Sequence, residues 1–204
     1  SADCNPETGT ALDKLGALIN FAINDGAQII TISIAAGQID AKFEPVLNAA
    51  LSRAINQGII VVTGMGNTST DNDGGSYASR NGFVGVSAVN LDGAFALDYS
   101  SFGDSVTTAA FGGPIKVRDY DKGNIGDMRG TSIATPIVAA SLALARQKWP
   151  DATSNQLLQS LIHTGLSPQH EWNQYTGYGP IDIGALVNTD PSQYPDENPV
   201  IHKS

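Results

Sequence analysis

The chain has 204 residues, 41% hydrophobic and 15% charged, with 22 glycines; this is the composition of one folded domain and excludes a disordered or coiled-coil chain. Eleven basic against twenty acidic side chains leave a formal charge of −9, which repels nucleic acid phosphates and anionic lipid, so no nucleic acid partner is expected. No apolar run approaches the roughly 20 residues needed to cross a bilayer, and the opening SADCNPETGT lacks the basic-then-apolar order of a signal peptide.

In chain order, Leu12, Leu15, Leu18, Ile19, Ala22 and Ile23 form a helical stripe, with Thr8 or Thr10 placed to cap it and Gly26 to end it. Residues 28–35 (QIITISIA) follow as a β-branched run of the kind buried on both faces of a parallel sheet. The order then repeats: Val46, Leu47, Ala50, Leu51, Ala54 and Ile55 share one face of a helix over 45–58, and residues 59–63 (IIVVT) form a second buried strand. Helix then strand, twice over, predicts an α/β fold with a largely parallel, twisted sheet flanked by helices.

Two more strands are expected at 82–89 and 106–111, separated by the turn formers Asp92-Gly93 and residues 100–103. Ile133, Ile137, Val138, Leu142 and Leu144 place a long buried helix over 132–149 with Pro150 closing it, and 155–164 forms a last short helix stopped by Gly165. The segment 188–204, with Pro191, Pro195 and Pro199 among acidic residues, reads as a loosely held tail or linker. The single cysteine, Cys4, cannot close an internal disulfide and sits in no metal-ligand cluster.

Chemistry concentrates in residues 129–136, RGTSIATP. A turn of small residues there leads into the long helix and sets Ser132 at its first turn, where free amides and the positive end of the helix dipole stabilise developing negative charge. Gly130 lets a substrate backbone approach. Ser or Thr at a helix start is also an ordinary cap, and for a bare Gly-Thr-Ser that reading comes first.

The longer pattern resembles the nucleophile motif of the subtilase family of subtilisin-like serine peptidases, Gly-Thr-Ser-x-Ala/Ser-x-Pro, matched by Gly130, Thr131, Ser132, Ala134 and Pro136. Residues 23–34 (INDGAQIITISI) resemble that family's passage into its substrate-binding strand, 58–67 (GIIVVTGMGN) its strand ending in Gly-Asn, and Ser100-Ser101-Phe102-Gly103 its Ser-Ser-aromatic-Gly turn. The likeness implies hydrolysis of peptide bonds through an acyl-enzyme at Ser132, with Asn67, 65 residues earlier, as side-chain donor to the oxyanion and the Ser132 N–H as the second donor.

By the same likeness Ser33, Ile34 and Ala35 pair with an extended peptide, Gly64, Met65 and Gly66 wall the primary specificity pocket, and Gly130 and Thr131 complete the substrate-binding set. Ala35-Ala36 departs from the family's glycine-rich end, and Met65 is bulkier than the usual alanine, so a narrower or differently shaped pocket is expected.

A serine hydroxyl needs a base, and the family orders its triad Asp, His, Ser. Here no histidine precedes Ser132; the three are His163, His170 and His202, read as surface or helix-end residues. The likeness therefore implies that residues 1–187 are the C-terminal portion of a catalytic domain, its sheet incomplete on the N-terminal side, with the triad Asp and His on an N-terminal segment outside this chain. That segment and a peptide or protein substrate are the expected partners. The chain alone is expected to be nearly inactive, and the protein to be secreted or extracellular.

No cofactor or metal is required for this chemistry. The run Asp71, Asn72, Asp73, Gly74 superficially resembles the start of a calcium loop but lacks the bidentate Glu downstream; a structural calcium is a family possibility only. The alternative reading is an inactive pseudoprotease that keeps the groove to bind peptides. A doubly wound small-molecule binder lacks any phosphate-binding glycine fingerprint here.

Overall fold

Successive side chains of a strand point to opposite faces, and in this protein each face of one sheet meets its own layer of helices. The computed structural model describes residues 14–34, 44–71, 77–118, 123–167 and 171–201. The described elements are α1 (Leu15–Asn24), β1 (Ile29–Ile32), α2 (Glu44–Asn56), β2 (Ile60–Gly64), β3 (Val84–Val89), β4 (Val106–Phe111), β5 (Ile115–Arg118), β6 (Ile125–Met128), α3 (Thr131–Lys148), α4 (Ser154–His163) and α5 (Ile183–Asn188). Strands β1 to β4 form a parallel sheet in that order, and β5 with β6 forms a separate antiparallel hairpin.

Ile60, Val62, Val84, Val86 and Ala88 pack on one side with Ala134, Val138 and Leu142 of α3 and Leu157, Leu158 and Leu161 of α4. Ile32 and Val61 pack on the other with Leu15, Ile19 and Ile23 of α1 and Leu47, Ala50 and Leu51 of α2. Each fully buried Val, Leu or Ile side chain in these layers contributes about 1.5–3 kcal/mol. Arg53 of α2 donates to Asn20 and Asn24 of α1 at 2.9 and 2.7 Å, tying that layer together at its rim.

The expected α/β class and parallel sheet are present. The strand expected to be buried on both faces, β1, instead lies at the edge of the described sheet, where Thr31 is exposed and Ile29 and Ile30 are only half-buried. Its run of Ile and Thr is that of a central strand, whereas β2 and β3, with neighbours on both sides, are buried almost throughout. The proposed caps Thr8 and Thr10 lie outside the described residues; α1 begins after Lys14 with no side-chain cap.

Three further features depart from what the sequence suggests. The β5–β6 hairpin was not expected. Nor was α5, which Asp182 caps by accepting the Ala185 N–H at 2.8 Å, so 155–164 is not the last helix. The described part of the tail, residues 189–201, is fastened rather than loose. Asp196 accepts from Thr153 Oγ1 at 2.6 Å and Asn155 Nδ2 at 2.9 Å, Gln159 donates to the Glu197 carbonyl at 2.9 Å, and the Gly82 N–H donates to the Val200 carbonyl at 3.1 Å. Val200 is 7% exposed and joins the larger core.

Candidate active site

The carboxyl ends of parallel strands leave a crevice where loops and helix starts converge. Here β2 ends at Gly64 and passes through Met65 and Gly66 to Asn67, while the chain leaves β6 through Arg129 and Gly130 into α3. The two segments touch closely. A Cβ on Gly64 would stand 2.9 Å from both Thr131 Oγ1 and Thr135 Oγ1, so only glycine lets the end of β2 lie against the first turn of α3. Gly130 has φ +151°, a conformation that favours glycine, and a Cβ there would stand 3.0 Å from Asn67 Nδ2, a tight contact.

Hydrogen bonds fix this contact. The Gly66 N–H donates to Thr131 Oγ1 at 3.2 Å, and the Thr131 N–H donates to Asn67 Oδ1 at 2.8 Å. Thr135 Oγ1 donates to the Thr131 carbonyl at 2.7 Å, and the Gly130 N–H donates to the Gly112 carbonyl at 2.7 Å. Because Oδ1 is held by the Thr131 amide, the carboxamide orientation is set and its Nδ2 donors remain for another partner. Thr131 is buried and Ser132 half-buried.

A cavity of about 90 Å³ opens at this point, lined by Ser33, Ile34, Gly64, Gly66, Asn67, Thr131 and Ser132. Seven of the ten residues singled out from the sequence thus border one space, and an eighth, Gly130, contacts Asn67. Met65 does not take part. It is 0% exposed and packs with Ala78 and Val106 in a small core, so its bulk fills the interior instead of narrowing the entrance. Ala35 lies outside the described residues.

Among the described residues no histidine reaches Ser132. His163 sits at the end of α4, stacked on Tyr194 with ring centroids 4.7 Å apart, its Nδ1 2.8 Å from the Gln159 carbonyl. His170 and His202 lie outside the described residues, as do Asn72, Asp73 and Gly74; Asp71 pairs by a backbone bridge with Phe102. No group of three or more metal-ligating side chains occurs among the described residues.

A turn to which the sequence pattern assigns no role supports the site from behind. The Ser101 N–H donates to the Gly66 carbonyl at 2.9 Å, and Ser101 Oγ accepts the Thr68 N–H at 3.2 Å. On the outer side Arg129 pairs with Asp98 and places its guanidinium 5.2 Å from the centroid of the Tyr99 ring. Burial raises the Tyr99 pKa above that of an ordinary phenol; the Asp98 charge adds to the shift and Arg129 opposes it.

A family model described as the subtilase family matches residues 2–179. The chain belongs to the subtilase family. It is 34% identical over 148 residues to a thermostable alkaline protease of Halalkalibacterium halodurans, covering 72% of this chain and 38% of that protein. It is 28% identical over 208 residues to mycosin-4 of Mycobacterium tuberculosis, covering 88% and 46%. It therefore spans less than half the length of either relative. Among solved subtilase structures, MycP1 from Mycobacterium smegmatis superposes with a TM-score of 0.75 at 26% identity, covering 95% of this chain and 57% of that one. As a subtilase the chain has a serine-peptidase fold, with the Gly-Thr-Ser motif at the start of α3 and the Gly-Asn motif after β2 meeting around one cavity.

Proposed function

We propose that this chain is the nucleophile-bearing part of a secreted or extracellular serine endopeptidase. In this reading Ser132 Oγ attacks a peptide carbonyl carbon while a base takes its proton. The Asn67 Nδ2 and the Ser132 N–H hold the resulting oxyanion; the C–N bond then breaks and the departing amine takes up the proton. Water, activated by the same base, releases the acid from Ser132. Ser33 and Ile34 border the cavity where an extended substrate would run.

The observation that carries this reading is the Thr131 N–H to Asn67 Oδ1 bond of 2.8 Å beside the cavity that Ser132 lines. A neutral local turn would not need a carboxamide locked by the residue preceding a serine 65 positions away.

The base and its aspartate belong, in this reading, to a further segment of the catalytic domain. Three features support a docking place for it. Strand β1 has a partner on one side only among the described residues. Pro136, Ala140, Ala143 and Leu144 of α3 are exposed. A cavity of about 430 Å³ runs between Gln28 and Ile29 at the start of β1 and Ala143, Arg146 and Gln147 of α3. No described helix is long and apolar enough to cross a membrane.

The test is active-site labelling with a fluorophosphonate probe. Labelling confined to Ser132, abolished in Ser132→Ala and fast only when the base-bearing segment is present, is the expected result. Asn67→Ala slows it by about 10²–10³-fold, the cost of removing one such donor in subtilisin. Fast labelling of the 204-residue chain alone would contradict an external base, and labelling indifferent to Ser132→Ala would end the peptidase reading.

A further inference from the structure

The turn 98–102 has no contact with the cavity, yet one of its residues grips the chain on both sides of Asn67. The Ser101 N–H donates to the carbonyl of Gly66, and Ser101 Oγ accepts from the N–H of Thr68, at 2.9 and 3.2 Å. The Thr68 hydroxyl lies 2.9 Å from Ser101 Oγ and 2.8 Å from Thr70 Oγ1, extending the chain of hydroxyls outward. Ser101 is 0% exposed, and its neighbour Ser100, equally buried, accepts the Ala88 N–H from β3 at 2.9 Å and donates to the Ser101 carbonyl at 3.1 Å. The bracket is thus anchored in the sheet.

The same turn reaches the other side of the site. Asp98 and Tyr99 hold Arg129, which immediately precedes Gly130, and the Tyr99 carbonyl accepts the Ser69 N–H at 3.2 Å. Five consecutive residues therefore span the distance between the loop that carries Asn67 and the strand end that delivers Ser132. Backbone on either side of Asn67 is glycine or exposed polar residues, which by themselves hold a conformation weakly.

We propose that Ser101 is a positioning residue for the Asn67 carboxamide, and that the turn 98–102 sets the spacing of the two oxyanion donors without touching substrate. This rests on the serine-peptidase reading above. Loss of the Ser101 hydroxyl frees the Thr68 amide and loosens Asn67 from one side, while Ser132, Thr131 and the cavity lining keep their own bonds. The consequence falls on the developing oxyanion and not on substrate binding, so it is seen in kcat and not in KM.

The experiment is a double-mutant cycle in the catalytic domain with its base-bearing segment, read as kcat and KM on a peptide substrate. Ser101→Ala is expected to lower kcat by about 10–100-fold with KM unchanged, as a misplacement of an ångström or less does. In an Asn67→Ala background the same change should cost less than about 2-fold, because nothing remains to be positioned. A full loss that persists without Asn67, or no loss in Ser101→Ala, overturns the proposal. If Ser101→Ala does not fold, Thr68→Val decides: it removes the exposed partner hydroxyl and should give a smaller kcat loss with the same dependence on Asn67, and an Asn67-independent loss overturns the assignment. A wild-type domain no more active than Ser132→Ala removes the peptidase reading itself, an outcome distinct from a defect confined to position 101.

Discussion

Gly64 and Thr131 approach so closely that a methyl group on the glycine would stand 2.9 Å from the threonine hydroxyl. The same methyl would press equally on Thr135, so neither hydroxyl can turn aside without losing its hydrogen bond to a carbonyl or an amide. Gly64→Ala is therefore expected to part β2 from α3 and to destabilise the fold by about 1–3 kcal/mol. Urea unfolding measures the loss, and a midpoint equal to that of wild type would show that the two elements can slide.

Thr131 supplies both an acceptor and a donor. Thr131→Val keeps the amide that holds Asn67 but leaves the Gly66 N–H without its partner, at a cost of about 1–3 kcal/mol. Thr131→Ser keeps both roles and should sit near wild type. Comparison of the two by thermal unfolding separates the hydroxyl's contribution from that of the side-chain volume.

Tyr99 gives an alkaline signature. Its folded-state pKa is raised, chiefly by burial and secondarily by Asp98, with Arg129 acting in opposition. A raised phenol contributes stability that is fully present below the unfolded-state value of about 10 and is lost as pH rises through the folded value. Stability should fall in that window, and Tyr99→Phe should flatten the fall. Replacing Arg129 by Met should raise the upper edge of the window, since the charge that lowers the folded-state value is gone; an upper edge that stays put or falls would show that the guanidinium does not act on the phenol.

The fastened C-terminal segment is tested at Val200. With 7% exposure and a place in the larger core, Val200→Ala should cost about 1–3 kcal/mol. A freely hanging linker would tolerate the change without effect, and differential scanning calorimetry distinguishes the two.

The sequence shows β2, β3, β4 and α3 because apolar or small residues recur along each at strand or helix spacing, although Leu144, placed on the buried face of α3 by that spacing, is exposed. The hairpin β5–β6 is hidden because its strands, IKVR and IGDM, are mostly exposed and carry no continuous apolar face. The tail misleads through its prolines and acids: Asp190 and Asp196 act as a cap and a clasp, and one valine anchors the rest, a docking made by few side chains with no period. At the site, the Gly-Thr-Ser and Gly-Asn motifs announce their meeting. Met65 sits between two residues that line the cavity, and its burial is not legible from that position in the chain. The role of Ser101 is out of reach of any local pattern, since it depends on a contact across 33 residues.

The bond from Thr131 to Asn67 joins positions 64 apart in the chain, with β3, β4 and the hairpin made in between. During synthesis the carboxamide leaves the ribosome long before the residue that will lock it, and such distant contacts form late in folding. A half-made copy of this protein consequently holds its two motifs apart, and the cavity between them takes shape only when the last layer closes.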